Sequence, residues 1–101
     1  MGKQITGPEA IIEYDEESPS LISKLIINGG ATLLDFEKEA SSDNLEVDFK
    51  KKKFVFSGSP KLKQGEDVIA GDEIVFLNNG EKVVINNLKA NVTKDSLEEL
   101  Q

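Results

Sequence analysis

The stretch Lys53-Phe54-Val55-Phe56-Ser57 has one counterpart 29 residues upstream, Lys24-Leu25-Ile26-Ile27-Asn28, and another 29 residues downstream, Lys82-Val83-Val84-Ile85-Asn86. A lysine, three apolar residues and a small polar residue spelled three times at one interval identify an internal repeat. In each copy a side-chain period of two sends the first and third apolar residues to one face. The lysine, the middle apolar residue and the closing Asn or Ser take the other. The inward pairs are Leu25/Ile27, Phe54/Phe56 and Val83/Ile85. Corners follow at Asn28-Gly29-Gly30, Ser57-Gly58-Ser59-Pro60 and Asn86-Asn87, built from residues that reach left-handed or preset backbone angles at little cost.

The same interval carries Ser42–Val47 onto Gly71–Phe76, placing Ile74 and Phe76 where Leu45 and Val47 stand. Strict alternation in Asn44-Leu45-Glu46-Val47-Asp48-Phe49 marks a half-buried strand with Leu45, Val47 and Phe49 on its apolar face. Pro8–Tyr14 is a looser copy, with Ala10, Ile12 and Tyr14 inward, followed by a loop from Asp15 to Ser20. Ala31–Leu34 maps onto Pro60–Lys63 and keeps Leu33 over Leu62, whereas its copy after Asn86 is poor. Further turns are expected at Gln64–Asp67 and Asn78–Glu81, with Asn79-Gly80 as the clearest hairpin turn. Lys50–Lys53 reads as a solvated bend. Tyr14, Phe49, Phe54, Phe56 and Phe76 are all expected to help fill a core that a small domain needs.

These elements predict an all-β fold, a stack of antiparallel strands rolled over one apolar seam. Its first strand (near Glu9–Tyr14) and last (near Lys82–Lys89) have no further repeat to pair with. Ile11, Ile12, Val84 and Lys89 then become positions where another sheet would make contact. The assigned limits are an extension over 1–4, one domain over 5–92 and a tail over 93–101, where Ser96 and Glu99 have capping-box spacing for one helical turn.

Composition narrows the function. With 101 residues the chain makes one domain, and 38% hydrophobic and 31% charged residues are ordinary for a folded protein. A formal charge of −7 repels a polyanion and argues against nucleic acid as a partner. Cysteine and histidine are absent, which excludes disulfides, thiolate metal sites and Ser-His-Asp or Cys-His catalysis. Asp15-Glu16-Glu17 sits in a loop with Ser and Pro and lacks calcium-loop spacing, so no metal or cofactor is expected. There is no apolar run of membrane-spanning length, and Met1–Gly7 is not a signal peptide as written.

The segment Gly58–Phe76 resembles the OstA-like family of lipopolysaccharide-transport proteins, the periplasmic LptA kind. The residues that carry the resemblance are Gly58, Gln64-Gly65, Asp67, Gly71-Asp72, Ile74 and Phe76. Weaker similarity extends over roughly 5–92, with Pro8 and Ser41-Ser42 departing from the family's usual residues. The resemblance implies an open β-jellyroll with exposed edge strands, a periplasmic location and no enzymatic activity. Its interior would bind lipopolysaccharide through the lipid A acyl chains, and edge strands would join related jellyrolls, or head-to-tail copies, into a bridge between membranes. Mapped onto this chain, the lipid-lining residues would be Leu25, Ile27, Leu45, Val47, Phe54, Phe56, Ile74, Phe76, Val83 and Ile85. The alternative is a structural β-repeat module with a closed core and no lipid. The first expects an open cleft between these side chains; the second expects them interdigitated.

Overall fold

The computed structural model describes residues 3–35 and 38–91. They form one curled antiparallel sheet of strands β1 (Gln4–Thr6), β2 (Glu9–Tyr14), β3 (Ile22–Asp35), β4 (Lys38–Asp48), β5 (Lys53–Ser57), β6 (Lys61–Gln64), β7 (Asp67–Ala70), β8 (Glu73–Leu77), β9 (Lys82–Asn86) and β10 (Lys89–Asn91). The fold is all-β, as the repeat predicts. Two strands, β3 and β4, run the whole length of the sheet, while β1/β2, β5/β6, β7/β8 and β9/β10 are each one course of chain interrupted by a corner.

The sheet therefore has two arms that meet along a row of corners. One arm holds β2, the first half of β3, the second half of β4, β5, β8 and β9 in that order. The other holds β1, the rest of β3 and β4, β6, β7 and β10. In both arms the order across the sheet is the order along the chain, so the molecule is a simple meander of bent strands. This explains the interval of 29. One outward and one returning bent strand make a unit, so equivalent residues lie two strands apart with the odd strand between them, as Leu33, Ala40 and Leu62 do.

Corners use the expected residues. Gly29, Gly30, Gly58, Ser59 and Asn87 all have positive φ, and the register of β3 against β4 shifts between Asn28 and Ala31. At Gly58 a side chain is excluded twice over: φ is +81°, and a Cβ would lie 2.6 Å from the Cβ of Asp43, whose N–H donates to the Gly58 carbonyl at 2.9 Å. Ser42 is buried, and its hydroxyl donates to the Asn44 carbonyl at 2.6 Å. The serine thus stays satisfied inside the corner.

Several expectations need correction. The poor third copy after Asn86 is nevertheless a strand, β10, because pairing with β7 compensates for its weak pattern. Both expected turns close hairpins, Gly65-Glu66 with Gln64 opposite Asp67 and the Asn79-Gly80 turn with Leu77 opposite Lys82, but the tight two-residue one is Gly65-Glu66, and Asn78–Gly80 forms a single 3-10 turn in which all three residues have positive φ. Tyr14 and Phe49 do not fill the core: they are 55% and 46% exposed. Tyr14 ends edge strand β2 just after a bulge and Phe49 follows the last residue of β4; both lie against only the first residues of β3, Ile22 and Ser23, at the end of the sheet. The helical turn expected within 93–101 lies outside the described residues.

Candidate functional site: an apolar seam that runs from edge to edge

Cross-strand registers arrange the inward side chains into three ladders across the sheet. In the first arm, Ile12, Leu25, Val47, Phe54, Phe76 and Val83 face one another in succession. Nearer the corners, Ala10, Ile27, Leu45, Phe56, Ile74 and Ile85 do the same. In the second arm the series is Ile5, Leu33, Ala40, Leu62, Ile69 and Ala90. All three ladders begin on the first bent strand and end on the last.

The ten inward residues singled out from the sequence thus fall on two of these ladders. The third ladder was largely missed, although Ala40 and Ile69 also stand 29 residues apart. That signal was available, but alanine is too small to stand out as a core residue.

Burial varies along the seam in a regular way. In its middle Ile27, Leu33, Leu45, Val47, Phe54, Phe56, Leu62, Ile74 and Phe76 are buried and form one cluster spanning both arms. Phe76 packs its ring against Phe56 at 5.1 Å and Phe54 at 6.4 Å, both tilted, the geometry aromatic quadrupoles favour. Toward the edges Ile5, Leu25, Val83 and Ile85 are only partly buried. The seam is therefore closed in the middle, the interior expected of the structural alternative, and apolar and half-open at both ends. Every strand pairing stays within one arm, apart from the two long strands that belong to both. Away from the corners the arms are held together by side-chain packing.

Chemically the seam offers apolar surface and little else. Among the described residues, no buried side-chain polar atom lacks a partner, so no donor or acceptor is held in reserve for a polar ligand. None of their acidic residues cluster in a way that could hold a metal ion. A depression of about 320 Å³ lies outside the seam, at the corners, lined by residues that include Gly58, Lys61, Gly71 and Lys89.

The acidic loop is a turn device. The Asp15 carboxylate accepts from the N–H groups of Glu17 and Ser18 at 2.8 and 3.1 Å and pairs with Lys50. The Lys50 contact, followed by these two backbone bonds, holds the Asp15 carboxyl below the usual carboxylate range and raises the Lys50 ammonium. The loop after β2 is thereby tied to the lysine-rich bend after β4.

Of the edge positions, Ile11, Ile12 and Val84 are 47%, 46% and 38% exposed, and Lys89 is exposed on β10. Strand β2 pairs only with β3, and β9 only with β8, so each keeps one side without a strand neighbour among the described residues. No helix among those residues is long and apolar enough to cross a membrane.

The pattern of one family, described as the LptA/(LptD N-terminal domain) LPS transport protein, matches residues 39–99. Among curated proteins none matches the sequence. A solved structure with a similar fold is LptH of Pseudomonas aeruginosa, described as the LptA-homologous periplasmic component of the lipopolysaccharide transport device. It superposes with a TM-score of 0.76 at 12% identity, over 90% of this chain and 74% of that one.

Proposed function

The chain belongs to the LptA/LptD N-terminal-domain family of LPS transport proteins, and from that premise we propose that its apolar seam carries the acyl chains of lipopolysaccharide. Family members are transport components and not enzymes. The observation that carries the proposal is the continuity of the ladders, which run from one edge strand to the other and are half-open at both ends. A chain laid along such a seam would leave one domain where it enters the next. In this reading the domain works in the periplasm, as one element of a bridge between membranes, and joins related jellyrolls through its edges.

The closed middle favours the structural alternative until the energetics of opening are considered. Parting the arms exposes apolar side chains without breaking strand pairing. Burying about twelve acyl methylenes at about 0.8 kcal/mol each returns on the order of 10 kcal/mol gross, most of it offset by ordering and by the packing it replaces. A small surplus suits a carrier that must also release its cargo. The four lysines of Lys50–Lys53, of which Lys50 already pairs with Asp15, give the rim local positive charge in a chain of net charge −7.

A charge placed at the half-open end of a ladder tests the reading with little damage to the fold. Ile85→Asp, on the inward face of edge strand β9, is expected to lower retention of lipopolysaccharide on the immobilised domain about tenfold, whereas Val84→Asp, on the opposite face, leaves it near wild type. The tenfold figure corresponds to about 1.4 kcal/mol, below the cost of fully burying a charge because the position is partly solvated. Equal retention by both variants, with unchanged circular dichroism, would remove the lipid from the seam and leave the structural module.

A further inference from the structure

We infer that the outer side of the corners holds a binding site for an acidic saccharide, centred on Lys61 and Lys89 and facing away from the apolar seam. Its framework is a row of residues that the registers bring side by side across the second arm. Thr6, Thr32, Ser41, Lys61, Ala70 and Lys89 are successive cross-strand partners. Each stands next to a residue of the third ladder on its own strand, so period two sends the whole row to the opposite, outward face.

The two lysines flank Ala70, so their backbones lie roughly 10 Å apart, two strand spacings, with only a methyl group between them. Both are exposed, and neither has an ion-pair partner among the described residues. Two like charges on one face repel each other, and an anion set over Ala70 relieves that repulsion. One register further from the corners, Lys63 lies opposite Glu39. Opposite Lys61, in a chain with nineteen acidic residues, stands the hydroxyl of Ser41.

Both lysines line the depression of about 320 Å³ at the corners, where Ala70 and Gly71 add no bulk. A second depression of about 350 Å³ shares Ser59 and Lys61 with the first and brings in Thr32, Ser41 and Asp43. Together they make a trough along the outside of the corners, lined by hydroxyl, carboxylate and ammonium groups and by no large apolar side chain. This is the reverse of the seam's chemistry.

A sugar acid matches that lining. Its hydroxyls donate to carboxylates and accept from Ser and Thr, while its acidic group takes charge-assisted hydrogen bonds from the lysines. Asp72 shares the first depression with both lysines and pairs with neither; its carboxylate accepts from the Asn87 side-chain amide and keeps lone pairs for a further donor. A bare anion would meet the Asp72 charge with nothing to offset it, whereas a sugar presents a hydroxyl there. The net charge of −7 is screened at physiological salt beyond about 8 Å, so the nearest groups decide what binds. No aromatic ring lines the trough to stack on a sugar, and the expected Kd is on the order of 1 mM.

Titration of the isotope-labelled domain with tetragalacturonate, followed by amide chemical shifts, tests the site. Cellotetraose serves as the uncharged match and acetate as the anion without a sugar. Tetragalacturonate is expected to move the Ala70, Gly71 and Lys89 amides and to bind about tenfold tighter than either control, the worth of one charge-assisted hydrogen bond. Lys61→Gln should weaken it by the same factor, about tenfold, and Thr32→Val about threefold, the loss of a neutral hydrogen bond. Lys63→Gln should leave it near wild type. Equal binding of acetate at matched carboxylate concentration would overturn the saccharide, and equal binding of cellotetraose would overturn the role of the lysines. Equal losses from Lys61→Gln and Lys63→Gln, or no saturable shift at the trough, would overturn the site. Lipopolysaccharide retention by Lys61→Gln is expected to stay at wild type, because the trough faces away from the seam; a parallel loss would put Lys61 on the lipid path and overturn a separate site.

Discussion

Phe56→Ala is expected to leave the domain barely folded. Phe56 is fully buried at the centre of the inner ladder between Leu45 and Ile74, with its ring against Phe76. Removing an aromatic ring from such a site costs about 3–5 kcal/mol, because the lost burial is compounded by a cavity that relaxes only partly. Domains of this size have roughly 5–15 kcal/mol in total. The urea midpoint followed by circular dichroism should therefore fall by half or lie below the accessible range. Phe49→Ala, at a half-exposed position past the end of β4, should shift the same midpoint only slightly. Similar losses from the two variants would mean that the core is not centred on the ladder.

The second large effect is expected at a corner. Gly58→Ala asks an L-residue to hold φ near +81° and places its Cβ 2.6 Å from that of Asp43. The left-handed conformation costs about 1–2 kcal/mol and relieving the contact about 1–3 kcal/mol more. Asp43 cannot simply turn away, since the clash is with its Cβ and its N–H is bonded to the Gly58 carbonyl. We expect a loss of roughly 2–5 kcal/mol in chemical denaturation. Gly65→Ala supplies the comparison. Its φ is also positive, at +61°, but its Cβ would meet nothing within 4 Å, so it should suffer the conformational cost alone. Equal losses at the two positions would show that the close approach of Asp43 contributes nothing.

The sequence carried the parts of this architecture that depend on side-chain period. Alternation at Leu45/Val47 and at Phe54/Phe56 is strict, so the faces of β4 and β5 could be read residue by residue, and the interval of 29 placed the corners at Gly29-Gly30 and Gly58. What it could not carry depends on neighbours. Tyr14 and Phe49 have the same parity as buried residues but lie at the end of the sheet, beside only the first residues of β3, and exposure at a strand end is decided by what packs there. Strand β10 has almost no apolar pattern, since it is a short edge strand whose place is set by pairing with β7. At Asn78–Gly80 two asparagines before a glycine take positive φ together and make a 3-10 turn in place of a two-residue hairpin. The seam residues were legible for a similar reason and with a similar limit. Period two tells which way Phe76 points, whereas its burial depends on Phe54 and Phe56 of the neighbouring strand β5.

Whether acyl chains enter the seam is tested most directly by photo-crosslinking to lipopolysaccharide from single benzoylphenylalanine residues. Positions 54 and 76 face each other on an inner ladder, whereas Val55, between Phe54 and Phe56 on the same strand, faces out. An aromatic probe at Phe54 or Phe76 preserves most of the native side chain, so the folded domain should tolerate it. Entry of acyl chains into the seam predicts strong lipid adducts from positions 54 and 76, and weak ones from 53 and 55. Equal labelling from both faces, or no adduct from 54 and 76 in protein that remains folded, would contradict it.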